Sequence, residues 1–393
     1  MKNLLLLFSL LACNMLQAQV IEKIEIPKPG GSYAKNINLS EIASKIEYLP
    51  LETHKNALIG ENAYCTLGKD YIFIEQPGTL WLFRRNGKFV SQISKIGKGP
   101  GEGFVRCFAF HEETQLIYIY NHYVHNILVF GFDGKFKKTI RDPFDGIKGL
   151  YVHNMNCDPK NGNVLLTFDN NEGKTPYKFV VMNPEGLIIH KEPNYDLYRV
   201  EKRTLDNAIG PSPLYQYQNS FHYRFVHNDT VFQINSDYKC VPKYVLRIPN
   251  KLTLEEDLKA KAYITRYADL NRNQIFSFYE NNSFLMAYYV SNIFDNKLKK
   301  RYIAKYDKKT KQWTYNHPTE IINDIDGGLN NFYSRNESFM WGLIHPFDLK
   351  EDLTPAHFAK SKALYPDQQK KLKSLVDNIG EEDNPVLMIV TLK

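Results

Sequence analysis

Two histidine pairs in this chain, His122 with His125 and His222 with His227, are the residues whose type and closeness suggest a metal. A helical zinc site needs H-E-x-x-H, which sets both imidazoles on one face, and neither pair has that pattern. Along a strand, spacings of three and five send the two side chains to opposite faces. No metal site is expected from either pair. The second pair sits in a string dense in cations and polar-tipped aromatics, and Trp341 with His345 repeats the combination. Lining a pocket mouth, such side chains stack on sugar rings and pair with carboxylates. His222, Tyr223, Arg224, His227, Trp341 and His345 are therefore the candidate ligand-binding set, with ordinary strand packing as the alternative for each.

Other motifs fall short of chemistry. The glycines from Gly97 to Gly103 suggest a phosphate cradle, but Gly97-Lys98 is followed by Gly99 and Pro100, with strand patterns on both sides. A P-loop needs Ser or Thr after the lysine and a helix beyond it. An inter-strand turn is the reading. Asn323, Asp324 and Asp326 offer oxygens before Gly327 and Gly328, yet the further carboxylates and closing glutamate of an EF-hand are missing, so a tight turn is expected. No Gly-x-Ser-x-Gly nucleophile elbow is present. Cys65, Cys107, Cys157 and Cys240 are too widely spaced for a zinc or redox motif and are read as free thiols. No catalytic residue and no cofactor is assigned.

The elements that must carry these residues repeat. Tyr71–Ile74, Leu80–Phe83 and the turn at Gly87 return as Ile117–Tyr120, Ile127–Phe130 and Gly134. They return again as Val164–Thr167, Phe179–Met182 and Gly186. The glycines stand 47 and 52 residues apart, the length of a four-stranded propeller blade. Asn-Gly, Asp-Gly and Glu-Gly suit tight hairpins, and a lone blade buries its two faces only by packing against neighbours in a ring. Later repeats are degenerate: Thr230–Ile234 with Tyr244–Ile248, then Phe284–Tyr289 with Tyr302–Tyr306, then Phe339–Ile344 with Val386–Val390 as a closing strand. Aromatics at 13% of residues agree with strands. Two helices interrupt the pattern. One follows the capping box of Thr253 and Glu256 and runs to about Leu270; the other follows Pro366 and stops at Gly380.

The N-terminus reads as a leader: Lys2, an apolar run from Leu4 to Ala12, and Ala18 at a cleavage point. Residues 1–18 are assigned to a signal peptide and 20–393 to one domain. Cleavage before Cys13 would lipidate that cysteine; cleavage after Ala18 would leave a soluble chain starting at Gln19. The net charge of +7 is spread along the sequence, its densest run being Lys297, Lys299, Lys300 and Arg301. Nucleic acid is not an expected partner.

On these residues the chain resembles secreted six-bladed β-propeller proteins and lipoproteins of Gram-negative bacteria, similar to propellers of the NHL-repeat type. The resemblance is carried by Tyr48-Leu49-Pro50-Leu51-Glu52-Thr53, by the repeated Gly-Lys-Phe turns at Gly87 and Gly134, and by the Ile96–Glu102 loop. Asn228–Phe232, Asn323–Gly328 and the ending Glu381–Leu387 continue it. It implies an all-β, six-bladed propeller with two short helical insertions, in the periplasm or on the outer membrane. Its partner would be a small molecule, a glycan or an envelope protein, and the membrane would be reached only through a lipid at Cys13. A binding scaffold, in the setting of glycan uptake, is the favoured function. The alternative is a lyase or hydrolase acting on a glycan or peptide, with a site assembled from several blades, because fold alone does not fix function.

Overall fold

The glycine turns that mark the repeats fold as hairpins between the third and fourth strands of their sheets. Gly87 lies at φ 83°. A Cβ there would approach the Pro50 carbonyl oxygen to 2.5 Å, so both the backbone sign and the close approach require glycine. In the computed structural model, residues 21–393 are described except 142–143, 145–149, 151, 169, 171–172, 200–213, 263–270, 296, 317–319 and 333. The leader and Cys13 lie outside the described residues.

Blade 1 comprises Tyr64–Leu67, Tyr71–Gln76, Thr79–Arg84 and Phe89–Ser94, and blade 2 comprises Val105–His111, Leu116–Asn121, Asn126–Gly131 and Phe136–Ile140. Blade 3 comprises Val152–Cys157, Val164–Phe168, Tyr177–Met182 and Ile188–Pro193. Blade 4 is Leu214–Tyr217, Ser220–Tyr223, Thr230–Ile234 and Cys240–Arg247, with Glu22–Glu25 added in parallel at its outer edge. Blade 5 is Gln274–Glu280, Phe284–Ser291, Lys300–Asp307 and Gln312–Asn316. The sixth is Ser334–Arg335, Phe339–Ile344, Val386–Leu392 and Ala43–Pro50.

Burial shows that these sheets form a closed ring. Six apolar clusters each draw side chains from two neighbouring blades, the last joining Trp341 and Leu387 of blade 6 to Ile72 and Phe83 of blade 1. Six sheets with six shared cores leave no free end. The fold is the expected six-bladed propeller, and its closure differs from expectation in one respect. Val386–Leu392 is the third strand of blade 6; the outermost is Ala43–Pro50, antiparallel to it with Ile46 opposite Val390. Chain from the two ends thus shares one sheet, and backbone hydrogen bonds lock the ring.

Helices form at both expected places, the first over Leu254–Ala262, its expected continuation to Leu270 lying outside the described residues. Leu254–Ala262 starts on the reciprocal bonds of Thr253 and Glu256 (3.1 and 3.2 Å), and Pro366–Asn378 buries Leu372 and Val376. Three further short helices, Leu39–Ile42, Pro346–Asp352 and Pro355–Lys360, also form; the last two begin on proline, whose missing N–H costs nothing at a helix start.

Strand alternation sorts the connections by face. Hairpins between strands 1 and 2 and between 3 and 4 lie on one side of the ring. Connections between strands 2 and 3, and from one blade to the next, lie on the other. The helical segment of 345–385 joins strands 2 and 3 of blade 6 and so belongs to this second, loop-rich face.

Candidate functional site

Five of the six candidate residues are built into the ring. Arg224, fully buried, donates from its two terminal nitrogens to the carbonyls of Ile275 (2.9 Å) and Val226 (3.0 Å), tying blade 4 to the inner strand of blade 5. Burial lowers its guanidinium to about 10. Tyr223 packs in the core between blades 3 and 4. His227 lies beyond the end of its strand, with Nε2 3.1 Å from the Asp257 carboxylate of the Leu254–Ala262 helix. Trp341 donates its indole N–H to the Cys65 carbonyl at 2.8 Å, across the junction of blades 6 and 1. His222 belongs to the charged cluster between blades 4 and 5. Only His345 lines an opening.

That charged cluster was not legible as a unit. Glu280, at the end of the inner strand of blade 5, has no exposed surface. Its carboxylate accepts hydrogen bonds from Lys308 (2.7 Å), Lys243 (3.2 Å), the Tyr244 hydroxyl (2.6 Å) and the Tyr215 hydroxyl (3.2 Å). Burial opposes its charge, but Lys308, Tyr244 and Lys243 together hold the carboxyl below its ordinary range. Both ammonium groups lie about 4.5 Å from the centre of the Tyr217 ring. His222 faces Lys243 at 3.1 Å and the Ser220 carbonyl at 3.2 Å. Burial and then the Lys243 charge push its imidazole down to about 4. It is therefore neutral, Nδ1–H donating to Ser220 and Nε2 accepting from Lys243. The whole reads as a polar staple between two blades.

The remaining motifs take structural places. His122 and His125 sit in a tight turn, not along a strand, so their rings are 5.9 Å apart, and the Tyr120 hydroxyl bonds His125. Among the described residues no three of His, Cys, Asp and Glu are grouped as a metal would need. The glycine loop joins blades 1 and 2, with Glu102 accepting from the Gly99 N–H (2.9 Å) and pairing with Lys95. Asp326 accepts from Asn323 (2.7 Å) and the Gly328 N–H (2.9 Å), forming the expected turn. Cys65, Cys107, Cys157 and Cys240 are free thiols, and burial pushes Cys157 and Cys240 up to about 12, away from thiolate chemistry.

The opening lies on the loop-rich face, between blades 6 and 1. It is a groove of about 850 Å³ formed by three stretches distant in sequence: 58–64, 343–348 and 381–384. Its size is that of a small-ligand site. Glu61, Asp348, Glu381, Glu382 and Asp383 line it with His345, and among the described residues no lysine or arginine does. In a chain of net charge +7 this is a concentrated negative surface. Apolar walls stand beside the acids: Leu58, Tyr64 and Phe347 are 62%, 64% and 62% exposed. Asp383 is anchored by Thr53 and the Gly380 N–H, and Asn384 holds the 52–59 segment through Glu52, Ala57 and Ile59. The groove is thus a braced surface.

Near the inner end of that face, Glu75 is pushed up to about 7 by burial, an effect Arg106 partly offsets. A raised carboxyl favours the protonated fold. The penalty is absent below the unfolded value near 4.5 and complete above about 7. Glu75→Gln is expected to leave stability unchanged at pH 4 and raise it at pH 8 by about 1–3 kcal/mol, read from urea unfolding at both values.

A model of the family described as "Domain of unknown function (DUF4934)" matches residues 22–391. Among curated proteins none matches. The crystal structure of a Bacteroides fragilis NCTC 9343 protein designated as exported is similar at 20% identity and a TM-score of 0.67, covering 95% of this chain and 100% of that one. A DUF4221-family member from Bacteroides vulgatus ATCC 8482 gives 11% and 0.47, covering 89% and 97%. A virginiamycin B lyase from Staphylococcus aureus gives 11% and 0.42, covering 88% and 99%. At 20% identity the likeness to the Bacteroides fragilis protein is one of fold.

Proposed function

The chain belongs to the DUF4934 family, and from that premise and the groove on its loop-rich face we propose that it is an exported, single-domain binding protein. The groove carries the reading. Five carboxylates, with no lysine or arginine lining the groove among the described residues, next to exposed Leu58, Tyr64 and Phe347, favour a ligand that pairs positive charge with apolar surface, such as a basic peptide segment of an envelope protein or an amine-bearing glycan. Export is supported by the leader-like N-terminus, and mass spectrometry of the mature chain distinguishes Gln19 from a lipidated Cys13 at its start. No helix among the described residues is long and apolar enough to cross a membrane.

A thermal-shift screen tests the proposal, because a ligand that binds only the folded ring raises its midpoint. Peptides carrying lysine beside tryptophan and amino-sugar oligomers are expected to raise it, and neutral or acidic counterparts are not. Consumption of a bound ligand would replace the binding role with the lyase or hydrolase alternative.

A further inference from the structure

The glycine-rich connection between blades 1 and 2 holds an apolar side chain out to solvent, Ile96 being 62% exposed. Ile96 sits on the α-carbon of Gly78, in the turn between strands 2 and 3 of blade 1. A Cβ on that glycine would collide with it and lie 3.7 Å from the Phe104 ring. Phe104 in turn packs on Tyr123, ring centres 5.2 Å apart, in the corresponding turn of blade 2. Tyr123 and Val124 are 71% and 65% exposed. All three connections belong to the loop-rich face. Scattered apolar residues are ordinary on a surface, whereas a contiguous strip marks an interaction site.

Hydrogen bonds hold this strip in shape. The Gly103 N–H donates to the Lys95 carbonyl (3.1 Å), closing the loop under Ile96. The Phe104 N–H donates to the Asn121 side chain (3.3 Å) and the His125 N–H to the Asn121 carbonyl (2.9 Å), which ties the loop to the blade 2 turn. The strip meets the acidic groove at Gln76. Two residues before Gly78, its side-chain oxygen accepts from the Gly60 N–H of the 58–64 stretch at 2.9 Å. Groove and strip therefore continue one another across blades 6, 1 and 2, a path on the order of 20–25 Å, which about seven extended residues span. Charge changes along it. Glu102 is the one carboxylate in the strip's three connections, and Lys95 pairs with it at 3.3 Å, so the negative charge stays at the groove end.

We propose that groove and strip together bind one extended peptide segment in which a cluster of lysine or arginine is followed or preceded, within about seven residues, by two large apolar side chains. This rests on the reading of the acidic groove as a binding site and extends it to a two-part motif. The basic residues meet the groove's carboxylates, and the apolar pair covers Ile96, Tyr123 and Val124. Charge complementarity selects the first part and apolar burial the second. Because the loops are already braced, little ordering opposes binding.

Calorimetric titration of the full mature chain tests this with Lys-Trp-Lys, with Lys-Trp-Lys-Gly-Ser-Gly-Ser-Leu-Phe, with the same nine residues in reverse order, and with a control ending in Ser-Ser. One of the two Leu-Phe peptides is expected to bind about tenfold or more tighter than the control, and the preferred order gives the direction of the bound chain. That gain is expected to vanish in an Ile96→Ser/Tyr123→Ser/Val124→Ser variant, which keeps its affinity for Lys-Trp-Lys and, its changed side chains being exposed, its melting temperature. Tyr123→Ala alone, at the most exposed of the three positions, is expected to reduce the gain about threefold or more. No gain from the apolar end in either order, or a gain that survives both substitutions in folded protein, would overturn the two-part site and leave the groove standing. Failure of Lys-Trp-Lys itself to bind would strike the groove reading and this extension with it. A glucosamine oligomer that binds more tightly than both Leu-Phe peptides would overturn the proposal in favour of a glycan.

Discussion

Replacing Glu280 with glutamine is expected to cost about 3 kcal/mol of folding stability, toward the lower end of what breaking a buried ion pair costs. The reason lies in what stays behind. Lys243 and Lys308 keep their charges between blades 4 and 5 after their shared carboxylate is gone, and the Tyr215 and Tyr244 hydroxyls lose an ionised acceptor. Side chains about a fifth exposed give the two lysines some access to water, which limits the loss. The same cluster without charge behaves differently. A Glu280→Met/Lys243→Met/Lys308→Met variant removes both partners and their desolvation together, and is expected near the parent's stability. Urea unfolding of the two variants side by side decides it. Equal losses would mean that the lysines pack the interface without needing the carboxylate.

Trp341→Ala is expected to cost about 3–5 kcal/mol, the range for emptying a buried aromatic site. Its indole fills the junction of blades 6 and 1, where the ring closes, and donates to the Cys65 carbonyl of the first blade. Trp341→Phe separates the two effects: it keeps most of the apolar contact, leaves the carbonyl without its donor, and is expected to cost about 1–3 kcal/mol. Because closure is shared with the Ala43–Pro50 strand, the alanine variant should also expose that strand to proteolysis earlier than the core of blade 2. Cleavage in both regions at the same rate would show that the junction has no special part in holding the ring.

The sequence made the middle strands legible because they are apolar on both faces, as Tyr71–Gln76 and Leu116–Asn121 are, and because glycine turns fixed their phase. The inner strands were harder to see. Tyr64–Leu67 is four residues long, and the bulges at Arg106, His153 and Phe276 break the alternation that identifies a strand. Ala43–Pro50 alternates weakly, and nothing local states that its partner lies more than three hundred residues away. For the site, density of polar aromatics selected His222, Tyr223 and Arg224, but a strand between two blades buries what it carries. Glu280 had a signal, a carboxylate closing a strand whose Ile275, Phe276, Phe278 and Tyr279 are apolar or aromatic, but nothing local pairs it with Lys243 or Lys308. The groove had none, because three connections supply it and only the fold brings them together.

The most direct measurement is a calorimetric titration of the mature chain with the peptide Lys-Trp-Lys. Saturable binding is expected, weakening as salt is raised, and weaker by about tenfold or more in the Glu61→Gln/Glu381→Gln/Glu382→Gln variant at unchanged melting temperature. Absence of saturable binding, or equal affinity for the parent and the folded variant, would contradict the assignment of the groove as the binding site.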